Sequence, residues 1–267
     1  MSAVVNEPIN KPVLTKNIDN GIATLTLNRP DQYNALSKLL LTELQQALDQ
    51  TAADESVNVV ILVANGKAFC AGHDLKEMRS SEDREFHQAL FQQCGRVMQT
   101  IAEMPQPVIA QIDGIATAAG CQLVAQCDLA VASDVSRFAV SGINVGLFCS
   151  TPAVALSRNM HRKQAMQMLL TGDFIDAQTA CDYGLVNSVT PVENVAAETR
   201  ALAEKIAAKS PLAIKTGKRM FYKQLNMGLS EAYDFASDTM ACNMDSEDAR
   251  EGIDAFIEKR KPCWQGR

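Results

Sequence analysis

The chain has 267 residues, 47% of them hydrophobic and 21% charged, with a formal net charge of −6. That composition describes a globular chain able to bury a large core without disulfides or metal, and it excludes an intrinsically disordered one. The acidic balance argues against generic binding to nucleic acid or an anionic membrane, whereas a phosphate ligand needs only a few local cations and helix N-termini.

In chain order, residues 1–12 read as a loose tail, with neither an apolar signal core nor an Arg-rich amphipathic pattern. No stretch approaches eighteen apolar residues, so the expectation is a cytoplasmic protein without a membrane partner. Residues 13–17 and 22–27 are β-prone, and Asn20-Gly21 between them signals a hairpin. A helix follows over 36–53, with Leu40, Leu44 and Leu48 on one face and Ser37 placed to cap it. Residues 57–63 are almost wholly apolar, the pattern of a strand buried on both faces. A loop from Lys67 to Asp74 leads into a long helical stretch ending near Met104. Strand 107–112, helix 116–125 and strand 129–132 repeat the alternation, which implies layered α/β packing with right-handed crossovers.

Beyond about residue 151 the β signal fades except at 185–190. Val195, Thr199, Leu202 and Ile206 mark one face of a helix over 192–208, and 212–225, 229–244 and 247–259 also read as helices. The division is an α/β core over 13–200 and a helical region over 201–267. The eight cysteines form no C-x-x-C pair and His73, His87 and His161 are scattered, so no metal site is expected. Buried reduced thiols in a reducing compartment are expected instead.

Two small-residue loops stand where strands hand over to helices, positions whose backbone N–H groups are unpaired. They are Ala68-Phe69-Cys70-Ala71-Gly72-His73-Asp74-Leu75-Lys76-Glu77 and Asp113-Gly114-Ile115-Ala116-Thr117-Ala118-Ala119-Gly120-Cys121-Gln122. Either one alone is compatible with a plain packing motif. Together they could aim two N–H groups at one carbonyl oxygen, as an oxyanion hole does.

The paired loops, roughly fifty residues apart, resemble the crotonase (enoyl-CoA hydratase/isomerase) superfamily. The resemblance extends through Asn28-Arg29-Pro30, Asn34-Ala35-Leu36, Pro107-Val108-Ile109-Ala110, Cys127-Asp128, Leu170-Thr171-Gly172-Asp173, Tyr183-Gly184-Leu185-Val186 and Phe256-Ile257-Glu258-Lys259-Arg260-Lys261-Pro262. It is nearest to a subgroup of enoyl-CoA hydratase domain-containing proteins marked by Ala116 to Gln122 and Asn144 to Pro152. What it implies is an α/β spiral of ββα units with a C-terminal helical trimerisation region, assembled as a homotrimer or homohexamer. It further implies an acyl-CoA ligand, coenzyme A entering as part of the substrate rather than as a cofactor. By analogy the oxyanion hole is the N–H of His73 and of Ala119, the His73 ring having a packing or surface role, and Asp74 caps a helix.

In the hydratases that the chain resembles, two glutamates hold the attacking water. Those positions here are Gln122 and, twenty residues further on, Gly142. An amide positions water but cannot carry its proton, and glycine offers no side chain. Ser141, Asn144, Cys149 and Ser150 lie near the vacated second position and Cys121 beside the first, each read as packing, since no histidine stands by to activate a thiol. Asp113 is read as a turn residue and Asp128 as structural. For coenzyme A the resemblance points to Arg29 and Ala35 on the nucleotide side, to the Ala71 backbone and Lys76 near adenine and phosphates, and to Phe256 and Lys259 from a neighbouring subunit. Without the resemblance, Lys259-Arg260-Lys261 is a solvated helix end. Three functions remain open: an acyl-CoA enzyme for isomerisation, decarboxylation or thioester hydrolysis, a non-catalytic acyl-CoA binder, and a hydratase of weak activity.

Overall fold

A computed structural model describes residues 11–267. The tail expected over 1–12 therefore lies, as far as residue 10, outside the described residues. Asn20 and Gly21 both take positive φ, 50° and 73°, the backbone of a tight two-residue hairpin turn. They join β1 (Leu14–Asp19) to β2 (Ile22–Leu27) as antiparallel neighbours. In α1 (Lys38–Ala52), Ser37 Oγ accepts the Leu40 N–H at 3.2 Å, and Leu40, Leu44 and Leu48 are buried as their spacing predicts.

One move is then made three times: a strand in a large sheet, a short strand in a small sheet, then helix. β3 (Val59–Ala64) is followed by β4 (Ala68–Cys70), α2 (Leu75–Arg79) and α3 (Arg84–Glu103). β5 (Val108–Ile112) is followed by β6 (Ile115–Thr117) and α4 (Ala119–Gln126), and β7 (Leu129–Ser133) by β8 (Arg137–Ala139) and α5 (Ser150–Asn159). The chain continues through α6 (Arg162–Thr171), β9 (Ile175–Asp176), α7 (Ala177–Asp182), β10 (Ser188–Thr190) and α8 (Val195–Ala207). It ends with α9 (Pro211–Gln224), α10 (Leu229–Met244) and α11 (Glu247–Ile257). The large sheet has the order β1-β2-β3-β5-β7-β10, parallel from β2 onward, and the small one β4-β6-β8-β9. This is the ββα spiral.

Both faces of the large sheet are covered, which is why β3 reads as a continuous apolar run. Val60 and Leu62 join the main core with α1 and α3, while Val59 and Ile61 pack with Val195 and Ala203 of α8. Three local expectations are corrected. Residues 116–125 are not one helix: β6 pairs with β4 and β8 before the chain turns at Ala118. Strand pairing from distant segments overrides the helical propensity of an alanine-rich run. The loop 67–74 contains β4, and the long helical stretch breaks at 80–83, where Asp83 accepts the Glu85 N–H to restart it. Of the cysteines, five are buried, but Cys181 is partly exposed and Cys242 and Cys263 are exposed, on the thinly covered helical end.

The helical end is tied to the core by one buried cation. Lys218 Nζ of α9 donates to Asp128 Oδ2 (2.7 Å) and to the carbonyls of Ile101 (2.7 Å) and Gln106 (2.9 Å). Asp128 also accepts the Tyr222 hydroxyl (2.8 Å) and the Val108 N–H (2.7 Å), a structural role as expected. In contrast, α10 buries none of its residues, and Leu229, Tyr233 and Met240 are exposed. No helix among the described residues is long and apolar enough to cross a membrane.

Candidate functional site

The two small-residue loops meet. Gly72 has φ +89°, a region that favours glycine, and a Cβ built on it would stand 2.9 Å from Ala118 Cβ and 3.2 Å from Ala119 N. Thr117 Oγ1 donates to the Ala71 carbonyl at 3.0 Å, locking the loops together. The Gly72 carbonyl accepts the Leu36 N–H (2.8 Å) and the Asp74 N–H donates to Leu36 O (3.2 Å). Between these bonds the His73 N–H has no protein acceptor among the described residues. Ala119 opens α4, where the first N–H groups have no intrahelical partner, and its N–H is likewise unspent.

Ala118 turns the chain into α4 with φ 49° and ψ −119°, a conformation that costs a non-glycine residue about 1–3 kcal/mol. Its N–H donates to Ala139 O at 2.9 Å, which brings the segment after β8 alongside the α4 start. Gly120 allows α4 to approach β4, because a Cβ there would strike the Cys70 carbonyl.

The His73 imidazole packs edge-on against Phe91 with centroids 5.2 Å apart, and its buried Nε2 has no hydrogen-bond partner among the described residues. Burial lowers its pKa from 6.5 to about 4. The folded state thus holds the ring neutral while the unfolded chain binds a proton between pH 4 and 6.5, so this residue's contribution to stability falls as pH falls through that window. Exchanging it for a side chain that does not titrate, His73→Gln, should reduce the acid-induced loss of stability between pH 6.5 and 4 by about 3 kcal/mol, read from urea unfolding at each pH. Parallel pH curves for the two proteins would show that the ring does not titrate there.

Gln122 is only 4% exposed, yet its buried Oε1 has no hydrogen-bond partner among the described residues. At Gly142, a Cβ would lie 2.6 Å from Cys149 Sγ and 2.7 Å from the Leu147 carbonyl, so a thiol and a backbone turn fill the space a side chain would need. Burial raises the Cys149 thiol pKa against a lowering by the Gly142 N–H, and burial pushes Cys121 up to about 12. Both are protonated at neutral pH and poor nucleophiles. Asn144 Nδ2 donates to Gly172 O (3.4 Å), Ser150 Oγ to Phe148 O (3.3 Å), and Ser141 is partly buried. Asp113 accepts the Ser133 hydroxyl at 2.9 Å.

Four of the coenzyme A candidates gather at one corner. The Arg29 guanidinium bonds the Ala35 carbonyl and pairs with Asp74 at 3.1 Å. Asp74 in turn caps α2 by accepting the Lys76 and Glu77 N–H groups. Exposed Ala71 spends its N–H on Tyr33 O (3.0 Å), and the Lys76 side chain is exposed on the same short helix. Arg29 is therefore a brace for this corner, held by two protein acceptors. Phe256 and Lys259 lie on α11 and just past it, Phe256 being 85% exposed and Lys259 left-handed at φ 56°. Sequence reasoning did not find Phe91, the Arg29–Asp74 pair or the seating of Cys149 over Gly142. The only local signal for any of them was the glycine itself.

The enoyl-CoA hydratase/isomerase family model matches residues 17–267. The chain is 49% identical to the mouse protein named enoyl-CoA hydratase domain-containing protein 3, mitochondrial, over 92% of this chain and 82% of that one. Among solved structures, a Mycobacterium smegmatis enoyl-CoA hydratase superposes with TM-score 0.94 at 55% identity, covering 95% of this chain and 99% of that one. Human enoyl-CoA hydratase domain-containing protein 3 superposes with TM-score 0.92 at 46% identity, covering 94% and 100%. The expected cytoplasmic location is contradicted by the vertebrate relatives, whose names place them in mitochondria. Reduced cysteines report a reducing environment without saying which one, and an organellar address is read from a targeting segment rather than from the folded body. With a family model spanning nearly its whole length and relatives near half identity, the chain belongs to the enoyl-CoA hydratase/isomerase family, on the crotonase fold.

Proposed function

We propose that this protein binds acyl-CoA thioesters, holds the thioester oxygen between the N–H groups of His73 and Ala119, and is a poor hydratase. The observation that carries this reading is the meeting of two unspent backbone donors across the Gly72–Ala118 contact, in a site where Gln122 and Gly142 supply no carboxylate. Such a hole stabilises an enolate or a tetrahedral oxyanion, the charge that isomerisation, decarboxylation and thioester hydrolysis develop. Coenzyme A is part of the substrate, with Arg29, Ala35, Ala71 and Lys76 on its nucleotide side.

Assembly as a homotrimer or homohexamer belongs to the same proposal. The apolar side chains left open on α10 and α11, Leu229 at 78% exposure and Phe256 at 85%, support it, because such patches mark interaction surfaces. Phe256 and Lys259 would then reach a neighbour's nucleotide.

Calorimetry with a non-hydrolysable acyl-CoA that keeps its carbonyl should show saturable binding at micromolar to sub-millimolar concentration, the range of ordinary substrates. Gly72→Ala, which forces the loops apart, should weaken that analogue about tenfold more than it weakens free coenzyme A, the worth of a buried hydrogen bond. No heat for any chain length overturns the binding reading. Equal weakening of analogue and free coenzyme A overturns the oxyanion-hole assignment.

A further inference from the structure

A cleft of about 350 Å³ opens at the other end of the large sheet, a volume within the range of small-molecule sites. Its lining comes from the residues that lead into β3 and β5, from the first turn of α9 and from the tail after α11. The oxyanion loops follow the opposite ends of β3 and β5, so the strands separate the cleft from the candidate site.

Gln106 lines this cleft and is 5% exposed. Its Nε2 donates to the carbonyls of Thr51 (2.9 Å) and Asp54 (3.4 Å), which turns the nitrogen toward the end of α1. Its buried Oε1 has no hydrogen-bond partner among the described residues. A buried acceptor is normally paired, so what this cleft lacks is a donor. Pro105, Pro211 and Trp264 supply flat apolar walls. The Trp264 wall is built in place: its Nε1 donates to Ala208 O at 2.9 Å, and the next two N–H groups, of Gln265 and Gly266, donate to the buried Asp248 carboxylate. At the rim stand Lys215, which is exposed and has no ion pair among the described residues, and the N-terminus of α9, which opens at Pro211. Both favour negative charge on that side. Glu55 is exposed at the rim as well and disfavours negative charge beside it.

We infer that this cleft is a ligand site of its own, taking a planar aromatic amine that carries an anionic group. The amine donates to Gln106 Oε1, the ring lies against Trp264 and the prolines, and the anion meets Lys215. An aromatic amine suits the buried end because it is neutral at pH 7, whereas an alkylammonium would be a buried charge beside an uncharged amide. An amino-substituted nucleobase on a phosphate and an aminoaryl carboxylate share this chemistry. The inference stands independently of the acyl-CoA reading.

Trp264 is the only tryptophan of the chain, so protein labelled with 5-fluorotryptophan gives one fluorine resonance, from the cleft wall. Titration with 4-aminobenzoate should shift it saturably. Benzoate, without the amine, should bind about tenfold more weakly, the loss of one buried hydrogen bond. Aniline, without the anion, should bind about two- to fivefold more weakly, the loss of one exposed ion pair. Gln106→Met should bring the first ratio to one and Lys215→Gln the second. Because Gln106 also holds two carbonyls at the end of α1, its variant can fail to fold, and the exposed Lys215→Gln then decides. AMP, titrated in the same way, distinguishes the sources: tighter binding than 4-aminobenzoate marks a nucleotide site and weaker binding a carboxylate site. A resonance unmoved by 4-aminobenzoate and AMP alike overturns the inference. So does equal binding of the three ring compounds, or ratios that survive the substitutions.

Discussion

Crotonyl-CoA should be hydrated at about 10⁻³ s⁻¹ or more slowly, at least four orders of magnitude below the median enzyme turnover of about 10 s⁻¹. Each positioned acid or base contributes roughly 10² to 10⁴, and on the proposed reading Gln122 and Gly142 stand where two would be needed. The proposed reading gives neither neighbour that role: burial raises the Cys149 thiol pKa, and the Asp113 carboxylate accepts the Ser133 hydroxyl. Loss of the enoyl thioester absorbance on addition of protein measures the rate, and a turnover near 10 s⁻¹ would require a base among Ser141, Cys149 and Asp113. Reinstalling the carboxylates by Gln122→Glu with Gly142→Glu should recover little of it. The first position can accept the change, but the second would drive a side chain into Cys149 Sγ and the Leu147 carbonyl. A double variant reaching normal turnover would show that the 141–149 segment yields easily, and the packing argument would fall.

Lys218→Met should lower the unfolding free energy by about 3–5 kcal/mol, the usual cost of leaving one member of a buried ion pair without its partner. Side-chain exposures of 6% for Lys218 and 13% for Asp128 put the pair in that class rather than among surface bridges. Two main-chain carbonyls, of Ile101 and Gln106, lose their donor at the same time, and these hold the end of α3 and the turn into β5. Removing the charge as well, in Lys218→Met with Asp128→Asn, should restore part of the loss, because the remaining amide carries no uncompensated charge. Urea unfolding of the three proteins reads both effects. A single-variant loss below about 1 kcal/mol would mean that water reaches the pair and that α9 is held by its apolar contacts alone.

The elements legible from sequence were those made by neighbours in the chain. The Asn20-Gly21 turn, the Ser37 cap, the buried face of α1 and the double-sided burial of β3 each follow from contacts within a few residues or from a period in hydrophobicity. The ordered motifs from Asn28 to Pro262 placed the chain in its family, and Gln122 and Gly142 stood out against them by residue type alone. The small sheet left no such trace. Two- and three-residue strands are too short to show a period, and β4, β6, β8 and β9 exist because segments tens of residues apart pair with one another. Compartment was misread because the folded body does not encode it. The site's decisive features were also settled by distant contacts. Gly72 closes on Ala118, Arg29 braces Asp74 across forty-five positions, and Cys149 takes the space over Gly142. Residue types and local spacing set which groups this protein owns. Only the folded chain decided which of them were already spent on one another, because hydrogen bonds and close packing between remote segments leave no pattern in the sequence that makes them.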